Sequence, residues 1–208
     1  MDREQPKSEP ESQSEANLTP PKADNPWIET IKTIGLSAVL AFGIRSFVAE
    51  ARYIPSGSML PTLQIDDRLI IDKISYRFSD PVRGDIVVFN PTAQLEKEKF
   101  KDAFIKRVIG VPGDRVDIKG GKVYINGKLL RENYIEEAPN YNWSSTSLTP
   151  DGIVPKGNYL VLGDNRNNSY DSYFWGFVPK DKIVGKATVR FWPIERVGGI
   201  DSQPEYTK

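Results

Sequence analysis

The chain has 208 residues, room for one domain of ordinary size plus tails and small insertions, and it holds neither cysteine nor histidine. Disulfides, thiolate or imidazole metal ligation, a cysteine nucleophile and a Ser-His-Asp triad are thereby excluded, which leaves acid–base work to lysine, tyrosine or carboxylates. Lys+Arg and Asp+Glu both number 28, so no basic surplus points to nucleic acid.

Residues 1–26 are rich in Glu, Ser and Pro and set Arg3, Lys7 and Lys22 against six acids. Such a stretch buries too little apolar surface to offset its ordering entropy, so a disordered acidic tail is expected. From Trp27 the character changes. Residues 28–49 (IETIKTIGLSAVLAFGIRSFVA) form the one long apolar segment, with twelve uncharged residues between Lys32 and Arg45. Both cations can snorkel, and Trp27 and Tyr53 bracket the stretch as interfacial aromatics do, so a single membrane anchor is expected. An amphipathic or buried helix is the competing reading. Lys22 and Lys32 balance Arg45 and Arg52 across the segment, so charge alone does not orient it.

Beyond Tyr53 the pattern is β. The apolar run 86–89 follows Arg83-Gly84-Asp85, which reads as a turn rather than an integrin-binding motif. Runs 116–118 and 123–125 flank Gly120-Gly121, and Asn126-Gly127 separates the second from Leu129-Leu130, two hairpin signals in succession. Residues 131–157 are polar, spotted with aromatics and hold three prolines, so an irregular excursion is expected. Runs 159–162, 183–184 and 188–192 complete a mainly β domain, and 195–208 read as a loose tail.

Three segments carry chemistry. In IPSGSMLPTL (54–63), two prolines and a glycine pin the backbone around two serines, the kind of rigid, exposed turn that a nucleophilic serine needs. Alone, Ser-Gly-Ser is a common loop triplet. In FIKRVIGVPGD (104–114), strand alternation puts Lys106 on one face with Phe104 and Val108. Apolar neighbours desolvate an ammonium and favour the neutral amine, the form that can take a proton from a hydroxyl. A lysine at an exposed strand end is the bland alternative. Arg107 faces the other way and stays protonated. The polar loop 163–176 (GDNRNNSYDSYFWG) is either a self-bonded turn or the support that positions such a base.

Taken in this order, a membrane anchor, IPSGSMLPTL, RGDIVVF, FIKRVIGVPGD and GDNRNNSYDSYFWGFVP resemble the type I signal peptidases, Ser-Lys proteases that remove signal peptides from exported proteins. The resemblance covers nearly all of 28–194, and AEARYIPSGSMLPTL looks most like bacterial members, cyanobacterial ones among them. It implies a coiled antiparallel β-sheet domain over 53–194 with an inserted β-hairpin region at about 118–158, behind one transmembrane helix over 28–49. It implies Ser58 as nucleophile, Lys106 as base, and an oxyanion hole of the Ser56 hydroxyl and the Ser58 N–H. Ser169 would orient the lysine and Asp171 would support that loop. Ile54, Met59, Leu63, Phe104 and Ile105 would line shallow pockets for small residues at −1 and −3.

Signal-peptide-bearing preproteins are then the partners, with membrane lipid and without nucleic acid, metal or cofactor, and a monomer suffices. The membrane would be the bacterial cytoplasmic or the thylakoid one, with the N-terminus cytoplasmic and the domain periplasmic or lumenal. Asn167 stands where many members carry aspartate and Tyr173 where many carry arginine, which puts an ion pair to Asp171 in question. The rival reading of another class is a catalytically silent, membrane-tethered β domain that binds exported chains.

Overall fold

The computed structural model describes residues 25–200 and the backbone of Glu205–Tyr206, so the acidic tail expected over 1–26 lies almost wholly outside the described residues. Helix α1 (Pro26–Gly43) runs on through one π turn (Ile44–Val48), and within the 23 residues from Pro26 to Val48 an 18-residue window has a mean hydropathy of 1.5. At 1.5 Å per residue the 23 residues reach about 35 Å, more than a hydrocarbon core of about 30 Å. The side chain of Asn25 accepts the Trp27 N–H at 3.1 Å and starts the helix. Thr30 and Thr33 donate back to the Pro26 and Glu29 carbonyls, which hides their hydroxyls from an apolar surround. Ile31, Leu36, Val39 and Phe42 are exposed, so the helix is long and apolar enough to cross a membrane and carries its apolar side chains outward.

The β unit begins with β1 (Ala49–Tyr53) and β2 (Arg68–Asp72), followed by the short α2 (Ser75–Phe78), β3 (Ile86–Phe89), the one-turn α3 (Ala93–Lys97) and β4 (Phe104–Gly110). Strands β5 (Val116–Lys119), β6 (Lys122–Ile125), β7 (Lys128–Arg131) and β8 (Trp143–Ser144) come next. They precede β9 (Asn158–Leu162), α4 (Ser172–Trp175), β10 (Val178–Pro179), β11 (Ile183–Trp192), β12 (Gly198–Gly199) and β13 (Glu205–Tyr206).

Among the described residues these strands form two sheets. The larger has the order β1-β2-β11-β3-β4-β9-β10 with β12 on β11, and every pairing is antiparallel. Register shifts along β11 bend it so that one ten-residue strand serves β3, β2 and β12 in turn. Gly185 lies at one shift, where any Cβ would collide with the Asp72 carbonyl. The fold is thus the expected mainly β one, a curled antiparallel sheet that follows, among the described residues, one long apolar helix in the chain.

The smaller sheet, β13-β7-β6-β5-β8, takes four strands from 116–144, largely within the region expected as an insertion, and the fifth, β13, from 205–206. Its two tight hairpins turn at Gly120-Gly121 and Asn126-Gly127, all four residues with positive φ, as such turns require. Of the tail expected over 195–208, residues 195–200 are described, and they touch the sheet. Arg196 pairs with buried Asp67, and Ile200 packs against the core group that includes Ile71 and Ala187, contacts between distant residues that polar composition does not reveal.

Buried side chains gather in three groups. One, with Ile109, Ile118, Val123 and Leu160, lies under the smaller sheet. A second holds Ile54, Met59, Leu63, Leu69 and Ile86, and a third Val87, Phe89, Val108, Val161 and Trp175. The face of β4 that carries Lys106 thus abuts the third group, and the segment that carries Ser58 is rooted in the second.

Candidate active site

Ser58 sits in a single 3-10 turn, Gly57–Met59, that leaves β1 through Ile54 and Pro55. Ile54, Met59 and Leu63 are almost fully buried, and their side chains peg the turn from below. From above, Asn165 donates its backbone N–H to the Ser58 carbonyl at 3.1 Å and its side-chain amide to the Gly57 carbonyl at 3.0 Å. The serine is therefore held on both sides while its hydroxyl stays half-exposed. Ser56 is exposed, and its Oγ lies 3.5 Å from Ser58 Oγ.

Lys106 reaches this turn from β4, where it stands opposite Val87 of β3. It is 4% exposed, and its Nζ is 2.7 Å from Ser58 Oγ. Burial pushes its pKa down to about 8, against the opposing pull of Asp171 and Asp164. Near neutrality a usable fraction is then the free amine, whose lone pair can accept the serine proton at hydrogen-bond range. The alternation that placed Lys106 among apolar side chains is visible in the strand, with Phe104 and Val108 packed in the third core group.

The loop between β9 and α4 closes the site. Asp171 caps α4 through the Tyr173 N–H and also accepts the Gly163 N–H at 2.9 Å. Burial pushes its carboxyl pKa up, while the Gly163 amide works the other way. Gly163 is obligatory for a steric reason. A Cβ there would overlap both Ser169 Oγ and the Ser58 carbonyl oxygen. Ser169 thus lies one glycine away from the Ser58 turn. Its enclosed hydroxyl lies beside Asp171 and favours the charged carboxylate, yet makes no hydrogen bond of normal geometry, to Lys106 or to any other described residue.

Both departures noted in the loop have local explanations. Asn167 donates to Glu137 Oε2 at 3.2 Å and to the Ala138 carbonyl at 3.1 Å, and it accepts the Asn140 N–H. An aspartate there would set a carboxylate against Glu137. Tyr173 packs its ring on Tyr141, 4.6 Å between centroids, and on Phe174. Its backbone, not its side chain, meets Asp171.

Two buried ion pairs beneath the loop escape sequence reasoning. Arg107 binds Asp164 in bidentate fashion at 2.8 and 2.7 Å, and Thr62 donates to the same carboxylate at 2.6 Å. The guanidinium also lies 3.8 Å above the Tyr134 ring. Arg166 binds Glu132 at 2.8 and 2.5 Å and donates to the Gly163 carbonyl at 3.0 Å. Together they join the nucleophile segment, β4, the polar loop and the excursion after β7 into one rigid block. The partners lie 34 to 102 residues apart, and no periodicity signals such pairs.

The Ser58 hydroxyl and the Lys106 amine open into a cavity of about 380 Å³ whose walls include Pro55, Ser56, Phe104 and Ile105. Of the residues expected to line pockets, Phe104 and Ile105 do so here, whereas Ile54, Met59 and Leu63 lie in the core beneath. Among the described residues no group of three or more acids is placed to hold a metal ion.

Comparison with known proteins shows the family. The family described as "Signal peptidase, peptidase S26" matches residues 27–192. The chain is 59% identical over 188 residues to the signal peptidase I of Leptolyngbya laminosa, across 89% of this chain and 90% of that one. It is 58% identical over 192 residues to a probable signal peptidase I-2 of Synechocystis sp., across 92% and 84% of the two chains. Signal peptidase IB of Staphylococcus aureus is 35% identical over 199 residues, 87% of this chain and 97% of that one.

Proposed function

Because this chain belongs to the signal peptidase family, peptidase S26, we propose that it cuts signal peptides from exported preproteins, after small residues at −1 and −3, with Ser58 as nucleophile and Lys106 as base. The observation that carries this reading is the 2.7 Å contact between Ser58 Oγ and a Lys106 amine pushed down to about 8 by burial.

The neutral amine takes the Ser58 proton as Oγ attacks the scissile carbonyl, and a tetrahedral oxyanion forms. The Ser58 N–H and the Ser56 hydroxyl, whose Oγ lies 3.5 Å from Ser58 Oγ, receive it. The Lys106 ammonium then returns the proton to the leaving amine, the mature N-terminus departs, and an acyl-enzyme remains. The free amine next activates water, and hydrolysis releases the signal peptide and restores the serine. Ser169, enclosed beside Asp171 and with no hydrogen bond of normal geometry to any described residue, is the hydroxyl available to orient Lys106, with Asp171 holding the loop that bears it.

Location follows from chain length. Ser58 lies ten residues past Val48, the end of the apolar helix, and ten extended residues span at most about 36 Å. We place the N-terminus on the cytoplasmic side and the 53–194 domain on the periplasmic or lumenal face, working as a monomer beside the lipid. A signal peptide embedded by its apolar region presents its cleavage site at that depth.

The test is cleavage of a purified preprotein by the full chain in detergent, with the new N-terminus sequenced. Cleavage after the small residue should vanish in Ser58→Ala and Lys106→Ala. Normal turnover by either folded variant would sink the dyad, and no cleavage by the intact chain would leave the silent binding domain as the better reading.

A further inference from the structure

Outside the serine–lysine pair, one wall of the cavity is built in an unusual way. Phe100 is the lone apolar residue within 96–102, a stretch otherwise made entirely of Glu, Lys and Asp. Helix α3 ends in a left-handed cap at Lys99, φ +69°, with the Lys99 N–H bonded to the Glu96 carbonyl and the Phe100 N–H to the Leu95 carbonyl. That pattern normally uses glycine, because a Cβ is crowded in the left-handed region. A lysine held there turns Phe100 back across the cavity instead of letting it follow the charged loop into solvent.

Phe100 meets Tyr170, which comes from the loop on the opposite side of the opening, at 5.8 Å between ring centroids. It also stands edge-on to Phe104 of β4 at 5.4 Å, and Tyr170 packs on Phe174 at 5.2 Å. The Tyr170 hydroxyl donates to Glu98 Oε2 at 2.5 Å, so the two sides are joined by a hydrogen bond as well as by the rings. Gln94 steadies the same carboxylate at 2.8 Å. Both Phe100 and Tyr170 line the cavity that holds Ser58 and Lys106, and both remain more than a third exposed. Aromatic rings left in water at a cleft mouth gain by covering an apolar ligand.

We propose that Phe100 and Tyr170 form an aromatic clasp over the Ser58–Lys106 cleft that limits the size of the preprotein side chain accepted at −1, with the Tyr170–Glu98 hydrogen bond as its latch. The proposal rests on the signal peptidase reading. A rigid wall excludes a branched side chain through overlap, and a wall free to swing admits it. Selectivity for small residues is then partly a property of the 98–100 loop, which lies outside the serine and lysine segments.

The experiment compares kcat/KM for two preproteins that differ only by Ala or Val at −1, using the full chain in detergent. Phe100→Ala should raise the Val/Ala ratio at least tenfold. Glu98→Ala should raise it in the same direction by a smaller factor, and Glu98→Gln, whose amide oxygen still accepts the tyrosine hydrogen bond, should keep it within twofold of the original. A ratio unchanged within twofold in both alanine variants overturns the clasp. So does an equal rise in Glu98→Gln and Glu98→Ala, since the latch would then play no part. Failure of the unaltered chain to cut the Ala preprotein would instead remove the signal peptidase reading, and the clasp with it.

Discussion

A buried lysine with a lowered pKa is a thermodynamic statement as well as a catalytic one. Lys106 falls from 10.5 to about 8 because burial penalises its charged form. At about 1.4 kcal/mol for each tenfold loss of proton affinity, that fall puts the penalty in the folded state at about 3 kcal/mol wherever the lysine is charged in both states. The sign follows from proton counting. Between about 8 and 10.5 the unfolded chain binds the proton and the folded chain does not, so stability rises with pH across that window. Below 8 the full penalty stands, and above 10.5 it is gone. Lys106→Met keeps the length and apolar stem of the side chain without the charge. Its free energy of unfolding, relative to the unaltered protein, should therefore fall by about 3 kcal/mol as pH rises from 7 to 10.5. The lost contact with Ser58 adds only a constant offset. Urea unfolding of the full chain in detergent, followed by tryptophan fluorescence at several pH values, measures the difference, and other titrating groups cancel in it. Two stability curves that stay parallel from pH 7 to 10.5 would mean that Lys106 is not desolvated, and the case for a neutral base would fail.

Other expectations are simpler. Gly163→Ala should lower cleavage more than tenfold, because its Cβ must push apart Ser169 and the Ser58 carbonyl; activity near the original level would show that the loop gives way easily. Arg107→Met should destabilise the domain by about 3–5 kcal/mol by leaving Asp164 buried without its cation, as read by urea unfolding, and the loss should shrink in the double variant with Asp164→Leu. Tyr173→Phe should leave cleavage unchanged, since Tyr173 meets Asp171 through its backbone and stacks on Tyr141 through its ring.

How much of this was readable in advance depends on the range of the interactions. The apolar helix, the β character and the two glycine-bearing hairpins are local features, and composition and period two expose them. Absence of histidine leaves lysine, tyrosine or carboxylates for acid–base work, the alternation gives Lys106 an apolar face, and the geometry puts that lysine beside Ser58. The pocket assignments were mixed for a physical reason. Ile54, Met59 and Leu63 are apolar and flank the serine, but apolar character does not say whether a residue lines a cleft or supports the turn below it. Phe100 and Tyr170 were invisible because they are joined only in space, one from a charged loop and one from a polar loop. The Arg107–Asp164 and Arg166–Glu132 pairs were hidden likewise, although Arg107, an arginine in an otherwise apolar strand, is the one signal that could have prompted a search for a buried partner.

The pH dependence of preprotein cleavage tests the account most directly. With the full chain in detergent, log kcat/KM should rise with unit slope below an apparent pKa near 8 and level off above it, as a neutral Lys106 becomes fully populated. A profile that is flat between pH 6 and 9, or one that breaks near the 10.5 of an ordinary lysine, would contradict a desolvated Lys106 acting as the base for Ser58.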